Sequence, residues 1–365
     1  MDIIITDIHG RAALRIARRT DAPFSLMKAE HEPGRGGTSA EQREAARQAA
    51  QCLGIAAMDQ PLHTRVVAGT TRSRAVDVVE HVTTVELPKD SFWRIIPRDR
   101  ELVDWLAERD LRLLVDAPAL SVLSFARAAL HAVGQGKSGP ITCKVVPVAR
   151  TMGYVGELCG TYARGWDGFE PGDTHFELAP VLTLNELAQY LDAVRYVDGS
   201  SVAGVAAHWS AERQDSPMEV LLRAALVMRP GLGGLHLPMP ANNEPLPLTA
   251  AELKLIKHDT ITPDLFWKLY KLILEYDGPD HRDDKGVLED KRRIQDYQAL
   301  GYTVFPVTAE DVRTVGAFDR FARPVIRKMA QVEGPKLTRR TNKLFADPDY
   351  RARRSLLLCS VGMAD

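Results

Sequence analysis

The stretch Leu272-Ile273-Leu274-Glu275-Tyr276-Asp277-Gly278 restricts this chain more than any other, because an apolar run of strand length ends abruptly in two acids and a turn residue. Side chains alternate across a strand, so Leu272, Leu274 and Tyr276 are expected on one face and Ile273, Glu275 and Asp277 on the other. Two carboxylates then share a face, roughly 7 Å apart. Like charges that close raise each other's pKa unless a cation neutralises them, and oxygen donors suit a hard divalent ion, Mg2+ or Mn2+.

The surrounding pattern builds a site around that strand. Thr260 to Trp267 reads as a strand, and a short polar connection around Lys268 and Lys271 predicts an antiparallel hairpin that sets Asp264 beside Glu275. Beyond Gly278 the chain turns through Pro279 and Asp280 and brings His281 back toward the same end, as a proton carrier or an outer ligand. The expected order is helix (Pro217 to Met228), a Gly- and Pro-rich passage (Pro230 to Pro247), the two strands, helix (Lys285 to Leu300), strand (Tyr302 to Thr308) and helix (Ala309 to Val332). This order gives one small α/β unit.

Asp264, the run Glu275-Tyr276-Asp277-Gly278-x-x-His281, then Asp290-x-x-Arg293 and Gly301-Tyr302-x-Val304 together resemble the PD-(D/E)xK nuclease superfamily, in its branch similar to very-short-patch-repair endonucleases. The resemblance covers about residues 216 to 329. It implies a restriction-endonuclease-like fold, a mixed sheet flanked by helices, and hydrolysis of DNA phosphodiester bonds with Mg2+ or Mn2+. It further implies Glu219, from the first helix, with Asp264 and Glu275 as metal-binding acids. The superfamily pattern has Lys two residues after its second acid, whereas this chain has Asp277, as the branch also tends to have. Activation of the nucleophile then falls to His281 or to a metal-bound water, with Asp277 assisting. Lys291, Arg292 and Arg293 would neutralise phosphate charge.

Plainer readings of the same residues remain open. Ser216-Pro217-Met218-Glu219 is also a helix-capping box, Asp264 after Thr262-Pro263 can be a turn residue, and Asp290 with Arg293 can be an exposed ion pair. A non-catalytic DNA-binding regulator or antitoxin-like protein with a degenerate nuclease fold is therefore the competing reading.

The rest of the chain frames this unit. Its 365 residues exceed what one core usually holds, so two domains are expected. A hydrophobic fraction of 45% with 26% charged residues predicts a folded protein, and a net charge of -1 leaves any DNA-binding surface to be local. Cys52, Cys143, Cys159 and Cys359 lack metal-ligand spacing and are expected as reduced thiols, Cys159 as a buried one. The apolar run Ile3 to Ile5 is too short for a signal peptide and no stretch is long enough to span a membrane, so a cytoplasmic location is expected.

Residues 1 to 200 read as a mixed α/β region. Helices are expected over Gly10 to Thr20, Ser39 to Gly54, Ala119 to Val133, Val155 to Tyr162 and Leu184 to Val197. Strands are expected at Arg65 to Val67, Val82 to Val85, Trp93 to Ile96 and Leu111 to Val115. Asp198 to Asp215 is the expected boundary. The runs Val115-Asp116-Ala117-Pro118-Ala119 and Glu157-Leu158-Cys159-Gly160-Thr161-Tyr162 resemble abortive-infection antitoxin or transcriptional-regulator proteins, which implies that this region binds DNA or a protein partner. Gly134-Gln135-Gly136-Lys137-Ser138, Gly34-Arg35-Gly36-Gly37 and Gly231-Leu232-Gly233-Gly234 lack a strand-to-helix context and read as loops. Residues 333 to 365, with Lys336, Arg339, Arg340, Lys343, Arg351, Arg353 and Arg354 against Asp347 and Asp349, read as a solvated basic tail.

Overall fold

A computed structural model of the chain describes residues 1–33, 39–58, 60–67, 76–133, 142–166, 171–278 and 284–361. They form a mixed α/β protein that divides into two compact units, residues 1–132 with 157–207 and residues 133–156 with 208–364. The glycine-rich runs at 34–37 and 134–138 lie outside the described residues.

The first unit begins with strand β1 (Asp2–Ile5), helix α1 (Asp7–Ile16), strand β2 (Phe24–Lys28) and helix α2 (Ala40–Cys52). Strands β3 (Leu62–Val67), β4 (Val78–Thr83) and β5 (Phe92–Pro97) follow, then helix α3 (Arg100–Glu108), strand β6 (Arg112–Asp116) and helix α4 (Pro118–Ala132). Helix α5 (Thr142–Cys159) gives its last turn to this unit. The unit continues with the two-stranded β7 (Ala163–Trp166) and β8 (Pro171–His175), helix α6 (Leu184–Ala193) and most of helix α7 (Ser200–Trp209).

Its main sheet has the order β2-β5-β6-β1-β3-β4 and is mixed, with β1 parallel to β6 and β3 parallel to β4. The helices cover it through small residues. Ala45, Ala46, Ala49 and Ala50 of α2 recur at i, i+1, i+4 and i+5, the spacing of one helix face, and pack with Ile3, Ile5, Leu62 and Val115 of the sheet. Ser39 caps α2 in a full capping box with Gln42, as its position before the apolar pattern predicts.

Beneath this sheet surface a buried guanidinium ties three strand ends together. Arg65 of β3 donates to both carboxylate oxygens of Asp116 (2.8 and 2.6 Å), to Thr83 of β4 (2.6 Å), to Thr6 after β1 (2.9 Å) and to Ser124 of α4 (2.7 Å). Thr6 also donates to Asp116.

The second unit contains helix α8 (Pro217–Val227), strand β9 (Ala241–Asn242), a short helix α9 (Ala250–Leu253), strands β10 (Leu265–Trp267) and β11 (Leu272–Tyr276), helix α10 (Asp284–Ala299) and strand β12 (Thr303–Val307). Helices α11 (Ala309–Val312), α12 (Val315–Glu333), α13 (Pro335–Ala346) and α14 (Pro348–Val361) complete it. The sheet order is β12-β11-β10-β9, with β9, β10 and β11 successively antiparallel and β11 parallel to β12. Pro306, which cannot donate to a ladder, sits on the edge strand β12. Ile273, Phe266, Tyr297, Leu300 and Tyr302 form the core between α10 and the sheet.

Four expectations need correction. The strand expected at Val82 to Val85 runs over Val78–Thr83 instead, because parallel pairing with β3 fixes its register. The expected boundary Asp198 to Asp215 does hold the division between the units, after Ala207, but helix α7 crosses it where the Gly-, Ser- and Ala-rich composition suggested a linker. The helix expected over Ala309 to Val332 is two helices, broken where Thr314 caps the second. The expected solvated basic tail is α13 and α14: Leu337, Phe345, Tyr350, Leu357 and Val361 are buried at helical spacing, which the charge count obscured.

Arg354 itself is 0% exposed. It donates to the Gly233 carbonyl (3.0 Å), lies 3.5 Å from Asp319 and meets the Tyr350 hydroxyl. The Gly231–Gly234 loop exists for packing. A Cβ on Gly233, where φ is +89°, would lie 2.7 Å from the Arg353 carbonyl oxygen, and one on Gly234 would lie 2.0 Å from that of Met228.

Candidate functional site

In the second unit, Glu219 occupies the first turn of a helix buried on every side. Ser216 caps α8, donating from its hydroxyl to Glu219 Oε1 (2.8 Å) and accepting from the Glu219 backbone N–H (3.2 Å). Ser216 therefore caps the helix, as the capping reading expects, but the carboxylate turns to the Ser216 hydroxyl and the Asp215 N–H in place of the Ser216 N–H of a full capping box. Oε2 accepts from Asn243 Nδ2 (2.6 Å) and the Asp215 backbone N–H (3.0 Å). Asn243 reaches it from the left-handed turn after β9 (φ +46°), and its own N–H bonds the carbonyls of Pro263 and Asp264.

The predicted hairpin of β10 and β11 is present, with Leu265 opposite Leu274, but the strand expected over Thr260 to Trp267 is confined to Leu265–Trp267, where its pairing with β11 lies. Asp264, one residue before β10, accepts from the Tyr276 backbone N–H (2.6 Å) and so lies against the end of β11 that carries Glu275. Glu275 is 7% exposed. Its Oε1 accepts from the Tyr297 hydroxyl (2.9 Å), and its Oε2, without a hydrogen-bond partner, lies 3.1 Å from the Arg293 guanidinium. Arg293 and Tyr297 are four apart on α10, so one helix face supplies both contacts.

Burial and then the Asp264 charge push the Glu219 carboxyl up to about 8, against hydrogen bonds from Asp215, Asn243 and Ser216. The same two causes in the same order push Glu275 up to about 8, against Arg293, Tyr297 and the Asp264 backbone. Asp264 is thus the charge that both glutamates feel. The acids from α8, from just before β10 and from β11 are thus linked through Asp264, but the carboxylate oxygens of the three residues expected to hold a metal together do not all lie within 4.8 Å of one another.

The other predicted site residues divide. Asp277 is exposed, one residue past β11, with its N–H bonded to the Val307 carbonyl. Lys291 and Arg292 are exposed on α10, while Arg293 faces Glu275. His281 lies outside the described residues, as does the side chain of Asp290. Tyr297 and Asn243 were not foreseen. The Arg293-x-x-x-Tyr297 spacing held the signal for the first.

A second cluster lies in the first unit, built from residues that are far apart in the sequence. Asp7 follows Thr6 at the end of β1 in a left-handed conformation (φ +53°) that starts α1. His63 of β3 and His81 of β4 approach it: Asp7 Oδ2 to His63 Nδ1 is 3.1 Å, His63 Nδ1 to His81 Nε2 is 3.1 Å, and His81 Nε2 to Asp7 Oδ2 is 3.5 Å. Among the described residues, these are the one group of three potential metal ligands whose donor atoms all lie within 4.8 Å of one another. Burial alone would raise the Asp7 carboxyl, but the His63 hydrogen bond with the Arg11 and His81 charges holds it well below the usual carboxylate range. Burial pushes the His81 imidazole down, against the pull of Asp7.

The buried His9 lies beside this cluster. Its Nδ1 accepts from the His63 backbone N–H (3.1 Å), and burial followed by the His63 charge pushes its imidazole down to about 4. Cys159 is buried, as expected. No helix among the described residues is long and apolar enough to cross a membrane. Comparison with protein-family models, with curated proteins and with solved structures finds no match.

Proposed function

We propose that the second unit is a divalent-cation-dependent phosphodiester hydrolase of the restriction-endonuclease-like type acting on DNA. A single observation carries this reading: Glu219 and Glu275, buried on different elements, both lie near enough to Asp264 to feel its charge, so that burial first and Asp264 second disfavour their charged forms, which a bound divalent cation would favour. The donor set is all oxygen, which fits Mg2+ or Mn2+. The mixed sheet of β9 to β12 with α8 and α10 supports the fold that the resemblance implies.

Asp264 and Glu275 would hold the ion, and Glu219, whose oxygens already accept three hydrogen bonds from Ser216, Asp215 and Asn243, would add its field from behind. A bound Mg2+ or Mn2+ supplies a polarised water and charge stabilisation at the phosphate. Tyr297 fixes the orientation of Glu275. Arg293 supplies the positive charge beside the second acid where the superfamily pattern has lysine, and would turn toward a phosphate when Glu275 takes a cation. Exposed Lys291 and Arg292 extend that positive edge along α10.

The Arg293–Glu275 pair also favours a second reading, a DNA-binding module whose acids are neutralised internally and which does not cleave. Supercoiled plasmid with Mg2+ or Mn2+ separates the two. Nicking that disappears in Asp264→Asn supports the hydrolase. Gel retardation without nicking by the wild-type chain overturns it in favour of the module.

A further inference from the structure

We propose that Asp7, His63 and His81 form an open coordination site for a borderline divalent transition metal of the Zn2+ class, separate from the carboxylate group of the second unit. The donor atoms form a triangle with edges of 3.1, 3.1 and 3.5 Å. Tetrahedral Zn2+ with bonds of about 2.0–2.1 Å requires its ligand atoms about 3.3–3.4 Å apart, so the three atoms already stand at ligand spacing. Hydrogen bonding alone explains the triangle less well. The Asp7–His81 edge is too long for a good hydrogen bond, and both remaining edges converge on the one proton that His63 Nδ1 can carry.

The surrounding residues hold each ligand in place. Arg11, one turn along α1, donates to Asp7 Oδ1 at 2.9 Å, which leaves Oδ2 to the site and orients the carboxylate. The His63 backbone is fixed on both sides, its N–H by His9 and its carbonyl by the Thr6 N–H at 3.0 Å. Arg65 opposite His81 in the ladder, with Asp116, Thr83 and Thr6, locks β3, β4 and the end of β1 in register. Asp7 adopts its left-handed turn at this one place, where the turn aims its carboxylate across the strand ends.

Donor chemistry decides the metal class. Two imidazoles with one carboxylate suit Zn2+, Co2+ or Ni2+ and are a poor match for Mg2+ or Ca2+. The side chains of Asp7, His63 and His81 are 19%, 18% and 34% exposed, so a fourth position faces solvent, as in sites where a metal carries water or substrate.

The test is titration of the chelator-stripped full chain with Co2+, read by visible absorption, followed by displacement with Zn2+. One equivalent of Co2+ is expected to give the absorption of a four- or five-coordinate nitrogen–oxygen site and to be displaced by Zn2+. Affinity should fall at least about tenfold in His63→Ala and in His81→Ala, since even an outer partner is worth that much, and stay unchanged in Asp264→Asn. His81→Gln, conservative at a partly exposed strand position, serves if the alanine variant unfolds. No Co2+ binding by the wild-type chain, or the same binding and spectrum in the histidine variants, overturns the proposal.

Discussion

The two clusters neutralise buried charge in opposite ways. In the first unit, Asp7 is surrounded by Arg11, His63 and His81, so its carboxylate is held in the charged form. In the second, Glu219 and Glu275 are buried against Asp264 with one guanidinium nearby, and their charged forms are disfavoured. A site whose charges balance is stable alone and can accept a metal as a substitute for protons. A site that disfavours its own carboxylates holds protons until a cation displaces them, which is what the proposed ion site would require.

The largest expected effect sharpens the first half of this contrast. Asp116→Ala would leave the Arg65 guanidinium buried without its carboxylate, at a cost of about 3–5 kcal/mol, and should melt the first unit and disperse the Asp7–His63–His81 triangle with it. Thermal unfolding with and without Zn2+ checks this, and a variant as stable as the wild type breaks the idea that Arg65 organises the strand ends.

Next in size is the pH dependence of stability, which should differ in sign between the units. A carboxyl raised in the folded state binds its proton more tightly there than in the unfolded chain. Between the ordinary carboxylate range and about pH 8 the second unit should therefore lose stability as pH rises, when free of metal. Mg2+ or Mn2+ should flatten that slope, and Asp264→Asn should flatten it without metal. Asp7, held low, contributes stability that is fully present above its unfolded pKa and is lost only as the solution is acidified below that value. Hydrogen exchange followed between about pH 3 and 9 reads the units separately; a second unit that gains protection as pH rises from about 5 to 8 contradicts the contrast.

The contrast in charge matches a contrast in what the amino-acid sequence displays. Glu275 and Asp264 were legible because a strand, a short turn and a second strand fix their relation locally, and Glu219 because its capping box announces the helix. Asp7, His63 and His81 come from three elements whose adjacency is set by sheet order β1-β3-β4, and the parallel pairing of β3 with β4 gives no local turn signal. Placing the fourth strand at Val82 to Val85 rather than Val78–Thr83 left His81 outside any strand. The α13 and α14 helices were hidden for a different reason: their buried Arg354 counts as surface charge until the backbone oxygens that accept its N–H groups and the nearby Asp319 carboxylate are seen.

The smallest expected effect concerns the support of Glu275. Tyr297→Phe removes the hydroxyl at 2.9 Å from its Oε1, and a hydrogen bond to a charged group is worth about 1.5–3 kcal/mol at most, less where water enters. Nicking should fall by about tenfold to a hundredfold at most, with the metal requirement unchanged. An unaffected rate would remove Tyr297 from the site.

The carboxylate group itself is tested most directly by Mn2+ binding to the full chain, followed by electron paramagnetic resonance after titration. Loss of one bound Mn2+ in Asp264→Asn, with that ion retained in His63→Ala, is the expected result. Equal Mn2+ occupancy in Asp264→Asn and the wild type would contradict a cation pocket organised by Asp264.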